Sequence, residues 1–226
     1  MGLLIRVLDL FFPPRCVFCC GFLPSGKQTL CAVCQDGLPA PEGQAVFQAG
    51  DFYSDCISPL YYDGPVQGSI HRFKFEGKQF YHRTYGPIVA ACVTEHYAGR
   101  FDVLSWVPVG KKRLRERGYD QAKLLARSTA AALGVTPIAT LTKAKDVAAQ
   151  SSLGGKDQRK ANISGAYQCL DPALVVGKRV LLIDDVVTTG ATLSESARCL
   201  LMAGAEEVLC ATLARTTVKE KTQVQV

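Results

Sequence analysis

Two groups of residues in this 226-residue chain have types and spacings that could do chemistry. One is the stretch VLLIDDVVTTGATL, Val180 to Leu193, where an apolar run leads to adjacent aspartates, Asp184 and Asp185, and then to threonines around a glycine. Neighbouring carboxylates at the end of a buried strand repel each other and cost desolvation, so they need a partner. Polyol hydroxyls would supply one, as would Mg²⁺, which favours one or two carboxylates plus substrate oxygens. The N–H groups of a Gly-containing turn, the hydroxyls of Thr188, Thr189 and Thr192, and a following helix N-terminus suit a phosphate. No G-K-[ST] follows the turn, which excludes a Walker A loop. Together these residues point to a phosphorylated sugar. The plainer alternative is a strand end with two exposed acids and an N-cap threonine.

The second group is Cys16, Cys19, Cys31 and Cys34, two CxxC pairs separated by eleven residues. That spacing matches paired knuckles holding one tetrahedral Zn²⁺. Four thiolates close the coordination shell, so the metal is structural; its binding, worth about 10–16 kcal/mol, supplies folding energy that so short a segment cannot draw from a core. Iron in the same site is the alternative. A thioredoxin-like redox role is weaker, because neither pair sits in a βαβ context. Cys56, Cys92, Cys169, Cys199 and Cys210 are scattered singly and read as small core residues. His71 reads as a structural or loop contact on an amphipathic segment.

A basic run adds to the first group. Lys111, Lys112, Arg113, Arg115 and Arg117 stand against one acid, Glu116, for a local charge of +4. The run follows Val107-Pro108-Val109 at a strand end, which puts it on the same rim as the phosphate loop. A pyrophosphate leaving group needs dense positive charge as it develops, and Arg offers bidentate contacts. A solvated face is the alternative. Lys143, Lys145, Lys156, Arg159 and Lys160 are interspersed with Gly and Ser in a polar stretch over 143–165. Loops this long are functional or disordered. Arg159 and Asn162 are its candidate working residues, the alternative being that they are only solvated.

These residues must be held by regular elements. Helices are expected over Ile88–Tyr97 with Pro87 in the first turn, Tyr119–Leu133 with Gly134 as cap, and Leu193–Met202 ending near Gly204. Strands are expected over Phe101–Val109, Thr136–Leu141, Arg179–Ile183 and Val208–Leu213. Alternating strands and helices mean crossover connections, a parallel sheet and an α/β fold. Asp184 to Thr192 then lies at the carboxyl end of a parallel strand, where such sheets bind ligands. Three regions follow: a cysteine module over 1–40, a connector over 41–65, and the α/β domain over 66–226.

Hydrophobic content of 48% and charged content of 20% exclude a disordered chain. The apolar start, Gly2 to Phe12, is broken by Arg6 and Asp9 and is too short to span a bilayer. It lacks the marks of a secretory signal. No transmembrane segment and a cytoplasmic location are expected, so the ten cysteines are not read as disulfides.

VLLIDDVVTTGATL resembles the phosphoribosyl-pyrophosphate loop of type I phosphoribosyltransferases. IHRFKFEGK (Ile70 to Lys78), VPVGKKRLRERGYDQAKLLA (Val107 to Ala126), QSSLGGKDQRKANISGAY (Gln150 to Tyr167) and the four-cysteine head resemble the motifs of the ComF competence-protein family. The resemblance covers nearly the whole chain. It implies a type I phosphoribosyltransferase-like parallel sheet flanked by helices, with a small N-terminal zinc module. It further implies that Asp184 and Asp185 take the ribose, and that Thr188, Thr189, Gly190, Ala191 and Thr192 take the 5′-phosphate. Lys111, Arg113 and Arg117 are then the candidates for the pyrophosphate, which brings Mg²⁺ with it. Arg159 would come from a loop that closes over the reacting centre and excludes water. There are two departures from the family pattern. Asp120 stands where Asn is expected, and Cys20 precedes Gly21 in place of a plain CxxCG knuckle.

The expected role is in DNA uptake during natural transformation. The expected ligand is phosphoribosyl pyrophosphate, with transfer to a nitrogen nucleophile that the sequence does not identify. The alternative is a non-catalytic protein of the competence machinery that retains the fold for ligand sensing or for gripping single-stranded DNA, the latter suited to a net charge of +6; single-stranded DNA or DNA-uptake proteins are the expected partners.

Overall fold

The computed structural model describes residues 13–24, 28–144 and 165–217. The cysteine module contributes a short helix, α1 (Ala32–Gly37), capped by Cys31. Three two-residue strands follow: β1 (Phe47–Gln48), β2 (Cys56–Ile57) and β3 (Leu60–Tyr61). Then come α2 (Gly64–Phe75), α3 (His82–Tyr97), β4 (Val103–Trp106), α4 (Lys111–Arg117), α5 (Gln121–Leu133) and the ribbon strands β5 (Leu141–Lys143) and β6 (Tyr167–Cys169). The chain continues through β7 (Arg179–Val187), α6 (Ala191–Met202) and β8 (Glu207–Arg215).

The main sheet runs β1-β2-β8-β7-β4, with β3 also paired to β8. All its pairings are parallel except β1 with β2. The central strands β7 and β8 are covered on both faces, which is why they read as nearly unbroken apolar runs. On one face Leu181 and Ile183 pack with Ile70, Phe73, Tyr85 and Leu125 from α2, α3 and α5. On the other, Val180 and Leu182 pack with Leu193, Ala197 and Leu200 of α6. α3 and α5 approach closely at Gly86, where a Cβ would lie 2.2 Å from the Ser128 Cβ and 2.5 Å from its backbone carbon.

The parallel α/β architecture is present, with several boundaries moved. α3 begins at His82, so Pro87 lies inside it rather than in the first turn. Packing on α5 outweighs the hydrogen bond that proline removes. Residues 136–140 form no ladder strand; Ile138 N–H donates to the Leu104 carbonyl at 2.9 Å, and β5 begins only at Leu141 and pairs antiparallel with β6. β7 runs past Ile183 to Val187, so both aspartates continue the strand, Asp184 opposite Thr212. The 41–65 stretch supplies β1, β2 and β3 to the main sheet. Cys16, Val17, Phe18, Leu23 and Cys34 belong to the same buried cluster as Ile70, Phe73 and Tyr85, so the cysteine module packs directly on α2 and α3. Among the described residues, no helix is long and apolar enough to cross a membrane.

Candidate functional site

β4 and β7 are hydrogen-bonded parallel neighbours, Val103 opposite Val180 through Trp106 opposite Ile183. Whatever follows each strand therefore meets at one end of the sheet. After β7 comes the Thr-Gly turn, and after β4 comes the basic helix α4.

Alternation along β7 sends its two acids to opposite faces. Asp185 meets α2, where Lys74 Nζ lies 2.9 Å from its Oδ2, with the two side chains 19% and 13% exposed. Asp184 lies on the α6 face, its charge acting on Tyr167 and Cys210. Its Oδ1 accepts the Asp185 N–H at 2.8 Å. Burial, then the Asp185 charge, push Asp184 up from 3.8 to about 7, against the pull of the Asp185 N–H and Lys74. The fold thus supplies one partner for the pair, a lysine from a motif whose spacing to the acids gives no hint of contact.

Beyond Val187 the chain turns through Thr188, Thr189 and Gly190 into α6. Gly190 is the N-cap at φ 75, a conformation costly for any residue with a Cβ. The Cβ position is also taken: it would lie 2.5 Å from the Tyr53 hydroxyl oxygen. Gln48 Nε2 donates to the Thr188 carbonyl at 3.3 Å, and Thr189 Oγ1 accepts the Ala191 N–H at 3.4 Å. Asp184 and residues 188–192 line a cavity of about 40 Å³, on the scale of one small anion with its water. Beyond Ala191, whose N–H is already donated to Thr189, the first-turn N–H groups of Thr192 and Leu193 are the ones that can turn to such an anion.

The basic run forms α4, with Lys111, Lys112, Arg113 and Arg115 exposed and Gly118 closing it in the left-handed conformation. Arg117 is partly buried. Its guanidinium donates to Gln121 Oε1 at 2.8 Å, covers the Phe75 ring at 4.9 Å, and feels the Asp185 charge. Arg113 acts on Tyr167, and Lys111 stands at the start of the helix. Asp120 does not face these bases as a free charge. It caps α5 by accepting the Lys123 N–H at 3.0 Å and ties down Val109 N–H at 3.2 Å, while burial raises its carboxyl. Arg159 and Asn162 lie outside the described residues. Just beyond that segment, Gly165 N–H donates to Glu195 at 2.6 Å, and Arg198 holds the same carboxylate at 2.8 Å.

The four cysteines converge at a separate place. Their Sγ atoms all lie within 4.8 Å of one another, with Cys19 and Cys31 at 3.6 Å. Four sulfurs at about 2.3 Å from a tetrahedral Zn²⁺ stand about 3.8 Å apart, so the cluster is compatible with that ion. Gly21 and Cys34 N–H groups each donate to a cluster sulfur at 3.4 Å. Burial raises Cys16, but backbone N–H groups around Cys19, Cys31 and Phe18 outweigh it and bring the thiol down to about 7. Cys20 takes the left-handed conformation at φ 63, the one non-glycine among the described residues to do so. It is not among the four converging thiols.

Lys74, Gln48, Tyr53 and Glu195 were not singled out in the sequence. The IHRFKFEGK motif carried the only available signal, for Lys74; the others act through contacts far apart in the chain.

Residues 121–225 match the model of the phosphoribosyl transferase domain. The chain is 29% identical over 231 residues to Competence protein F of Haemophilus influenzae, covering 91% of this chain and 98% of that protein. It is 30% identical over 204 residues to the DNA utilization protein YhgH of Salmonella typhi, covering 83% and 86%. Among solved structures it is similar to the allosteric regulatory enzyme of purine biosynthesis, at 22% identity and a TM-score of 0.38, covering 57% of this chain but only 25% of that one.

Proposed function

Since the chain belongs to the ComF family of phosphoribosyltransferase-like proteins, we propose that it binds 5-phosphoribosyl pyrophosphate with Mg²⁺ and serves DNA handling in natural transformation from the cytoplasm. One observation carries this reading: two acids, a Thr-Gly turn at a helix N-terminus and a basic helix converge on one end of a parallel sheet. Asp184 and Asp185 accept the ribose hydroxyls, and residues 188–192 surround the 5′-phosphate. Lys111, Arg113 and Arg117 meet the pyrophosphate. In transfer, the bond from ribose C1 to the pyrophosphate oxygen breaks and a bond from C1 to a nitrogen nucleophile forms. Charge then develops on the leaving group, where fixed cations stabilise it most. Mg²⁺ adds charge neutralisation on the pyrophosphate when bound. Arg159 is read as an additional cation over the centre. At the four cysteines, a Zn²⁺ ion holds the module together and takes no part in transfer.

Single-stranded DNA is a second ligand favoured by a specific observation. Phe75 is 61% exposed beside Arg117, next to the exposed bases of α4. Aromatic faces interleaved with cations are what unstacked bases bind.

Calorimetry with phosphoribosyl pyrophosphate and Mg²⁺ tests the first reading. Binding by the wild type and none by the Asp184→Asn, Asp185→Asn double variant is expected. Equal binding by both proteins would place the sugar elsewhere. Competition between that ligand and a single-stranded oligonucleotide tests whether they share α4.

A further inference from the structure

Helix α2 touches both centres. On one side, Arg72 Nη2 donates to the carbonyls of Val17 at 3.2 Å and Phe18 at 2.6 Å, the two residues between Cys16 and Cys19. The Ser69 hydroxyl donates to the Val17 carbonyl at 2.7 Å and meets the Tyr85 hydroxyl at 2.5 Å. Phe18 packs on the Tyr85 ring with centroids 5.7 Å apart. Two residues beyond Arg72, about 200° around the helix, Lys74 reaches Asp185 Oδ2 at 2.9 Å.

We propose that Lys74 is a positioning residue for Asp185, and that the four-cysteine module fixes it there through Arg72 and Ser69. Lys74 lies in the last turn of a 12-residue helix, a length that is marginal without tertiary packing. Its side chain is a long flexible stem, so the place of its ammonium follows the place of the helix. The ties to Val17 and Phe18 hold that helix against a knuckle bracketed by two cluster cysteines. Lys74 grips Asp185 through Oδ2; among the described residues Oδ1 accepts no hydrogen bond, which leaves that oxygen for a hydroxyl. Without Lys74, Asp185 would lose the cation that touches it at 2.9 Å, and its carboxylate would lose its fixed orientation. The module is therefore more than an independent fold: it sets the geometry of the acid pair at the far side of α2. This rests on Asp185 as a ribose ligand.

Two measurements on the full-length protein test it. The first is hydrogen exchange without ligand. Lys74→Met and Arg72→Met should both speed exchange across residues 183–187 about tenfold, the scale expected when one half of a partly buried ion pair is removed, and Lys74→Arg should restore the wild-type rate. The second is titration with phosphoribosyl pyrophosphate and Mg²⁺. Lys74→Met should weaken binding about tenfold, and Arg72→Met, which touches no ligand, should weaken it several-fold. Because Arg72 acts through Lys74, the double variant should bind no more weakly than Lys74→Met alone. Releasing the cluster metal with a mercurial, then adding back thiol and Mg²⁺, should reproduce the Arg72→Met loss. Should Arg72→Met not fold, Ser69→Ala removes the other tie and carries the same comparison. Wild-type binding with no loss in Arg72→Met, or losses that multiply in the double variant, overturns the proposal. A wild type that binds no phosphoribosyl pyrophosphate overturns the ribose reading instead. Unchanged exchange in both Met variants then overturns the coupling on its own.

Discussion

Replacing Asp184 by Asn should stabilise the free protein above neutral pH and leave it unchanged in acid. Burial and the neighbouring Asp185 charge hold the Asp184 carboxyl at about 7 against an ordinary 3.8. The native state therefore keeps this proton more tightly than the unfolded chain does, and ionising Asp184 works against folding. The penalty is absent below 3.8, grows as pH rises, and is complete above about 7. At about 1.4 kcal/mol per tenfold, the ceiling is roughly 4 kcal/mol; because Asp184 sits half-buried at a strand end that water reaches, roughly 2–3 kcal/mol is expected at pH about 8. For a chain of this length that is a rise in melting temperature of roughly 4–12 °C. Asn keeps an Oδ1 acceptor for the Asp185 N–H, so the backbone bond survives the change. Asp185→Asn should do the opposite, losing about 1–2 kcal/mol because it strands Lys74 partly buried without its anion. Melting curves at several pH values from acid to mildly alkaline, with and without phosphoribosyl pyrophosphate and Mg²⁺, read both effects. Ligand should raise the wild-type curve by mass action and leave Asp184→Asn with little response. An Asn variant less stable than wild type at the alkaline end, or a gain independent of pH, would refute the electrostatic account of this pair.

Elemental analysis should find one Zn²⁺ per chain in the wild type and in Cys20→Gly, and none in Cys34→Ser. Cys20→Gly should also stay within about 1 kcal/mol of wild type, since relief of the left-handed strain offsets the extra freedom of glycine when unfolded. Changing Lys112, Arg113 and Arg115 to Ala should lower the slope of log affinity against log salt for single-stranded DNA by about 2; an unchanged slope would move the DNA site off α4. Gly86→Ala should cost about 2–3 kcal/mol or more in urea unfolding, because the new Cβ meets α5 backbone that cannot yield without separating the helices. A variant as stable as wild type would mean that the α3–α5 crossing is looser than its geometry implies.

The features legible in the sequence are those whose determinants lie close together in the chain. Four thiols on two short knuckles converge because each CxxC turn brings its own pair together. A buried strand running into a Thr-Gly turn and a helix reads the same in sequence and in space. The alternation of apolar strands with amphipathic helices fixed a parallel sheet, and a parallel sheet puts the segments after β4 and β7 on one rim. Element ends were less legible. β7 continues through its acids because β8 offers Thr212, Ala214 and Arg215 as ladder partners, and local pattern carries no record of a neighbour's length. What only the tertiary structure decided is which side chains surround the acids and the turn. Gln48 and Tyr53 reach the Thr-Gly turn because β1 and β2 join the sheet beside β8, a pairing that spans most of the chain. Lys74 meets Asp185, and Arg72 the cysteine knuckle, because α2 packs between them. Hydrophobic periodicity dictates which face of a helix is buried, but burial is non-directional. The neighbour that face meets is settled only when the whole core packs.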